Sequence, residues 1–158
     1  MMKIAKLFFC CLCFSANILA AEQRWYFVRH FEKMPGENPS LTVQGTQRAQ
    51  ELANYFAGIP LLAIYSTDYH RTLQTAAPVA DKQGLKIIPY KPRQLVGLAQ
   101  KLRSTSNVLV VGHSNTTPEL ISLMGGKVTA MTESDYGQLF IVSMIEGKIK
   151  TQVMDITL

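Results

Sequence analysis

Apolar residues in this chain come in two alternating patterns: short unbroken runs, and runs spaced for one face of a helix. Trp25–Val28 is an unbroken run of the length and composition of a buried strand. A loop over residues 31–41 follows, marked by Pro35, Gly36, Pro39 and Ser40. Thr42 is placed to cap a helix whose apolar face is Ala49, Leu52, Ala53 and Phe56, and Gly58 and Pro60 end it. Leu61–Tyr65 predicts a second strand. The next helix runs from about Tyr69 to Lys82 with Leu73, Ala76, Ala77 and Ala80 as its core face, and Gly84 stops it. Leu85–Pro89 predicts a third strand, and Leu95, Leu98, Ala99 and Leu102 mark a third helix. Val108–Val111 is the most uniformly β-branched run and predicts a fourth strand. A helix from about Thr117 to Gly125-Gly126 follows, with Thr116 and Glu119 at the spacing of a capping box. Leu139–Met144 and Lys148–Thr157 predict a hairpin turning at Glu146-Gly147. Strands alternating with helices give an α/β class: a three-layer sandwich, its central sheet mostly parallel with helices on both faces and an antiparallel C-terminal edge.

The N-terminus reads differently. Lys3 and Lys6, the apolar run Leu7–Phe14 and the small-residue exit Ala16–Ala21 follow the order of a secretory signal peptide. The apolar run is too short to span a bilayer as a helix. Residues 1–21 are therefore expected to be a signal peptide cleaved after Ala20 or Ala21, and residues 22–158 one domain. The expected location is a bacterial periplasm or the medium, without stable membrane insertion after cleavage. All three cysteines (Cys10, Cys11 and Cys13) fall in this segment. The remaining chain then offers no disulfide, thiolate nucleophile or cysteine metal site. Removing Lys3 and Lys6 from the 16 basic residues leaves 14 against 11 acidic ones, a net charge of about +3. That is a mild bias toward anions and does not indicate a nucleic-acid binder.

The chemistry gathers at strand ends. The first strand delivers Arg29 and His30, the second leads to Arg71, and the fourth delivers His113. Right-handed βαβ connections bring such ends to one edge of a sheet, where open α/β folds bind ligands. Two arginines and two histidines there suit a tetrahedral dianion. Each guanidinium can donate in parallel to phosphate oxygens, and an imidazole can attack phosphorus.

Val28-Arg29-His30-x-Glu32-Lys33 resembles the signature of the histidine phosphatase superfamily, the phosphoglycerate-mutase-like fold. Leu41-Thr42-x-x-Gly45 with Ala49, Tyr65-Ser66-x-x-x-x-Arg71-Thr72-x-x-Thr75-Ala76, and Val110-Val111-Gly112-His113-Ser114-Asn115 match in the same order. Asp135-Tyr136-x-x-Leu139-Phe140 is similar to the end of its small, single-domain members, which include phosphohistidine phosphatases. The resemblance implies that His30 is the nucleophile and becomes a phosphohistidine, and that His113 is the second pocket histidine. It also implies that Arg29 and Arg71 bind the phosphoryl group. Ser114 and Asn115 are expected either to line the pocket or to cap the following helix. Thr72 and Thr75 are expected to pack or cap, and His70 to be a solvated rim residue. No cofactor and no metal are implied. The expected partner is a small phosphorylated substrate or a phosphohistidine, and the sequence leaves the oligomeric state open.

One departure stands out. The family usually supplies a carboxylic acid between the second arginine and the second histidine to protonate the leaving oxygen. Here that stretch is Tyr90-Lys91-Pro92-Arg93, with Lys91 where an acid would stand. Glu32, Asp68 and Asp135 are the substitutes available. The alternative to a phosphatase is a non-catalytic phosphate-binding protein on the same scaffold. A mutase would need a capping segment for which this chain has no insertion. A metallohydrolase fits poorly, because the three histidines show no ligand spacing.

Overall fold

The computed structural model describes residues 22–158, so the expected signal peptide lies outside the described residues. Six strands form one sheet in the order β3-β2-β4-β1-β5-β6. They are β1 (Gln23–Arg29), β2 (Ala63–Ser66), β3 (Ile87–Pro89), β4 (Val108–Gly112), β5 (Gln138–Ile145) and β6 (Lys148–Asp155). β1 pairs parallel with β4, β4 with β2, and β2 with β3. β5 runs antiparallel to β1, and β6 antiparallel to β5. The mostly parallel sheet with an antiparallel C-terminal edge is thus present as expected. Chain order jumps from β1 over β4 to β2, so the switch point of the sheet lies beside the end of β1.

Helices α1 (Val43–Tyr55) and α2 (His70–Gln83) pack with Tyr26, Val28, Ile64, Leu109 and Val111 in one buried cluster. Helices α3 (Leu95–Arg103) and α4 (Thr116–Leu123) pack with Trp25, Phe27, Tyr65, Val108 and Val110 in the other. Alternate residues of β1 and β4 therefore feed opposite cores. That is why these strands read as unbroken apolar runs rather than as polar–apolar alternation.

The helix faces need two corrections. In α2 the buried stripe is Thr72, Thr75, Ala76, Val79 and Ala80, whereas Leu73 and Ala77 are only partly buried. The two threonines sit in the core because their hydroxyls are satisfied close by. Thr72 Oγ1 donates to the Thr67 carbonyl at 2.8 Å, and Thr75 Oγ1 to the Arg71 carbonyl at 2.8 Å. The capping box at α4 does not form. Asn115 takes the cap position with no side-chain bond, Glu119 is exposed, and Thr116 Oγ1 instead accepts the His113 backbone N–H at 2.9 Å.

The helix cap expected at Thr42 is present, with its Oγ1 accepting from Gly45 N–H at 3.0 Å. Thr42 N–H also donates to the Glu32 carbonyl at 2.8 Å. The Leu41-Thr42-x-x-Gly45 motif thereby pins the start of α1 against the chain just beyond His30.

Candidate active site

Three strand ends build the site. Arg29 closes β1, and the His30 backbone N–H donates to the Gly112 carbonyl at 2.9 Å, which ties the tips of β1 and β4 together. Beyond them come His113 after β4 and Arg71 in the first turn of α2. The Phe31 backbone N–H donates to Thr75 Oγ1 at 3.1 Å, so α2 also fixes the turn that carries His30. The imidazoles of His30 and His113 face each other edge to face with centroids 5.6 Å apart. Arg71 Nη2 reaches His113 Nδ1 at 3.3 Å, and Tyr136 lies 6.1 Å from the His30 ring with the Arg29 guanidinium 4.4 Å from its centroid. A small depression of about 260 Å³, lined by Tyr69, Arg71, Pro92, His113, Asn115 and Thr116, opens over the His113 and Arg71 side of this cluster.

Hydrogen-bond chemistry assigns both tautomers. His30 Nδ1 lies 2.9 Å from the Phe31 carbonyl, which can only accept, so Nδ1 carries the proton and Nε2 keeps its lone pair. His113 Nδ1 faces a guanidinium, which can only donate, so the neutral ring carries its proton on Nε2 and gives it to Thr67 Oγ1 at 2.9 Å. Thr67 Oγ1 passes the chain on to Thr72 Oγ1 at 2.9 Å. Burial, joined by the positive field of the arginines, lowers His30 to about 3 and His113 to about 4. Both imidazoles are therefore neutral at physiological pH, and His30 Nε2 keeps its lone pair.

Histidine-labelled protein followed by NMR should show opposite neutral tautomers for His30 and His113, with neither ring titrating between pH 8 and pH 5. Titration of either near 6.5 would contradict the assignment. Stability follows the same shifts. The unfolded chain takes up a proton on each ring near 6.5 and the folded chain only near 3 to 4. Their contribution is complete above 6.5 and is lost as pH falls through that window.

Arg29 is the least free of the expected phosphate ligands. Its Nη1 donates to the carbonyls of Thr132 at 2.6 Å and Asp135 at 3.2 Å, and its Nη2 pairs with Glu133 Oε2 at 3.1 Å. Ser114 Oγ donates to the other oxygen of the same carboxylate at 2.8 Å. Glu133 thus joins two groups expected to meet phosphate. The Ser114 bond and then the Arg29 charge hold its carboxyl below the usual range. Arg29 Nε and Arg71 Nε are buried donors without an acceptor among the described residues. Asn115 is exposed and lines the depression.

The expected substitute acids are placed elsewhere. Glu32 forms a nearly buried forked pair with Arg48, at 2.7 Å for the closest contact, and so braces α1. Asp68 is exposed and lines a different cavity, beside α3. Asp135 caps its own loop by accepting the Thr132 N–H at 2.6 Å. Sequence reasoning missed Glu133 and Thr67, and it quoted Tyr136 in a motif without giving it a place at the site. The available signal was the T-x-x-D spacing of Thr132–Asp135, which marks an ordered turn at the rim.

Comparison with known proteins follows the same lines. Residues 25–95 match the family model described as histidine phosphatase superfamily (branch 1). No curated protein matches the chain. Among solved structures, the protein histidine phosphatase SixA complexed with tungstate superposes with a TM-score of 0.68 at 18% identity, covering 84% of this chain and 97% of that one. The native mycobacterial glucosyl-3-phosphoglycerate phosphatase Rv2419c gives 0.67 at 14% identity, covering 85% and 98%. Its complex with VO3 gives 0.65 at 14% identity, covering 83% and 97%. At these identities the likeness to the solved structures is one of fold.

Proposed function

We propose that this chain, matched to the histidine phosphatase superfamily in its motifs and over residues 25–95, is a phosphatase that works through a phosphohistidine on His30. The observation that carries this reading is the His30 ring. It is buried, its Nδ1–H is held by a carbonyl, and Nε2, neutral and without a partner among the described residues, stands opposite His113 and Arg71.

Nε2 attacks phosphorus in line with the leaving group, and the P–O or P–N bond to that group breaks. The Phe31 carbonyl stabilises the positive charge that develops on the ring. Arg71 and Arg29 donate to the equatorial oxygens, and the buried Nε groups are donors still without an acceptor. The dianion raises the affinity of His113 for a proton, which adds a further donor. Water then attacks phosphorus, the P–N bond breaks, and phosphate leaves with His30 neutral again. No step needs a metal. The carboxylates nearest the pocket are ionised, so the reaction favours groups that need little proton donation from the enzyme, such as acidic phenols or the imidazole of a phosphohistidine whose other ring nitrogen already carries a proton. The substrate class is a phosphomonoester or phosphoramidate, and the expected leader places the protein in a periplasm or outside the cell.

Entering phosphoryl groups must take Arg29 Nη2 from Glu133. Tungstate, which the SixA structure contains, is the matching probe. Residues 22–158 should hydrolyse an aryl phosphate in the presence of a chelator and be inhibited competitively by tungstate. Glu133→Gln should tighten that inhibition by roughly threefold to fivefold, the effect of removing one exposed like charge. Activity abolished by the chelator, or tungstate that binds without competing, would contradict the reading.

A further inference from the structure

On the α3 face of the sheet lies a larger cavity, of about 760 Å³. The edge strand β3 has only three residues and α3 only nine, so the corner of β2 and β3 is left partly uncovered. Its floor is apolar, made by Tyr65, Ile88 and Leu98, and the Tyr90 ring joins them. Two cations edge it. Lys101 Nζ stands 5.4 Å from the centroid of the Tyr65 ring, and Lys91 lines the side nearer the phosphoryl pocket. Neither lysine is in an ion pair among the described residues. Among the described residues Asp68 is the one acid in the lining, which leaves an excess of positive charge there.

The groove and the phosphoryl pocket meet along two backbone steps. Asp68 and Lys91 line the groove, and their neighbours Tyr69 and Pro92 line the pocket. Tyr90 links them as well, with its ring in the groove and its hydroxyl donating to the Val111 carbonyl beneath His113 at 3.2 Å.

We propose that this groove receives the leaving group of the substrate, and that the leaving group is an apolar, ring- or chain-bearing body carrying a second anionic group. This rests on the phosphatase reading above. The depression beside His113, at about 260 Å³, falls below the range of sites for drug-sized molecules, whereas the groove, at about 760 Å³, lies well within it. A buried apolar floor favours a hydrophobic body, and unpaired lysines at its edge favour an anion over a neutral or cationic group. Lys91, which stands where an acid was expected, acts here in binding: it selects the substrate rather than protonating it.

Gly97 provides a clean test. It lies in α3 on the groove lining, and a Cβ there would meet nothing within 4 Å among the described residues. Gly97→Leu therefore fills the groove without strain and improves helix propensity. Two substrates are compared: 4-nitrophenyl phosphate, which is too short to fill the groove, and the phosphate ester of 6-hydroxy-2-naphthoate. The wild type should favour the naphthoate ester in kcat/KM by about tenfold over the ester of 2-naphthol, which lacks the carboxylate. Gly97→Leu should lower kcat/KM for the naphthoate ester by a similar factor and leave 4-nitrophenyl phosphate unchanged. Lys91→Glu with Lys101→Glu should erase the preference for the carboxylate.

A preference for the naphthoate ester that survives both Gly97→Leu and the double lysine variant would overturn the proposal. Free 6-hydroxy-2-naphthoate, titrated by NMR, separates the two claims. Shifts at Ile88 and Leu98 that Gly97→Leu removes support the groove even if neither ester is hydrolysed, in which case only the phosphatase reading fails. Their absence overturns the groove whatever the hydrolysis.

Discussion

Replacing His30 with alanine should lower kcat/KM for an aryl phosphate by about 10³-fold or more while leaving the fold intact. The expectation rests on what the ring does and does not hold. Among the described residues, its one hydrogen bond runs to the carbonyl of the next residue, Phe31. The contacts that join β1 to β4 and to α2 are made by backbone groups instead: His30 N–H to Gly112, and Phe31 N–H to Thr75. Removing the imidazole therefore deletes the proposed nucleophile and little of the scaffold. Arg71 and His113 keep their own bond, and tungstate should still bind to His30→Ala. A variant that keeps a tenth of the wild-type rate would mean that water attacks phosphorus directly. A variant that loses both activity and tungstate binding, with an unfolded circular dichroism spectrum, would show the ring to be structural.

The second large effect is structural and lies away from the pocket. Gly45→Ala places a Cβ 2.2 Å from the Glu32 carbonyl oxygen. That oxygen is backbone, fixed by Thr42 N–H at 2.8 Å and by the bond of the Thr42 hydroxyl at 3.3 Å, so neither side can yield. Overpacking of this kind costs about 1–3 kcal/mol and occasionally more. Here it also pushes α1 away from the segment holding His30, Phe31 and Glu32. Thermal unfolding of Gly45→Ala should show a midpoint many degrees below that of wild type, with kcat reduced in the fraction that stays folded. An unchanged midpoint would mean that α1 does not pack on Glu32 as described. The motif residue Gly45 is thus accounted for by closeness of approach, and Glu32 by its pair with Arg48.

The strands were legible because burial on both faces leaves β1 and β4 with no polar position to interrupt the run. The Arg29-His30 and His113 pairing was legible because parallel strands deliver their ends to one edge, and the edge is where the motifs sit. What failed was decided by side-chain hydroxyls. Thr72 and Thr75 count as polar in a periodicity, yet each bonds within its own turn and buries, rotating the α2 stripe away from Leu73 and Ala77. Thr116 matches a helix cap in sequence, but the His113 N–H claims its oxygen first. Glu133 was beyond reach for a different reason: it meets Arg29 across 104 positions of chain from a loop with no periodicity. The groove beside α3 is likewise assembled from β2, β3, α3 and the turn at Tyr90, and no single stretch announces it.

The central claim is a covalent phosphoryl group on one named nitrogen. The most direct measurement is an alkaline quench of enzyme turning over an aryl phosphate, followed by trypsin digestion and mass spectrometry. Cleavage after Arg29 and Lys33 isolates His30 on a peptide of its own, apart from His113. The account predicts a phosphoryl group on the His30–Lys33 peptide that forms within a turnover and is absent from His30→Ala. Steady hydrolysis with that peptide unmodified, or with the phosphoryl group on the peptide bearing His113, would contradict it.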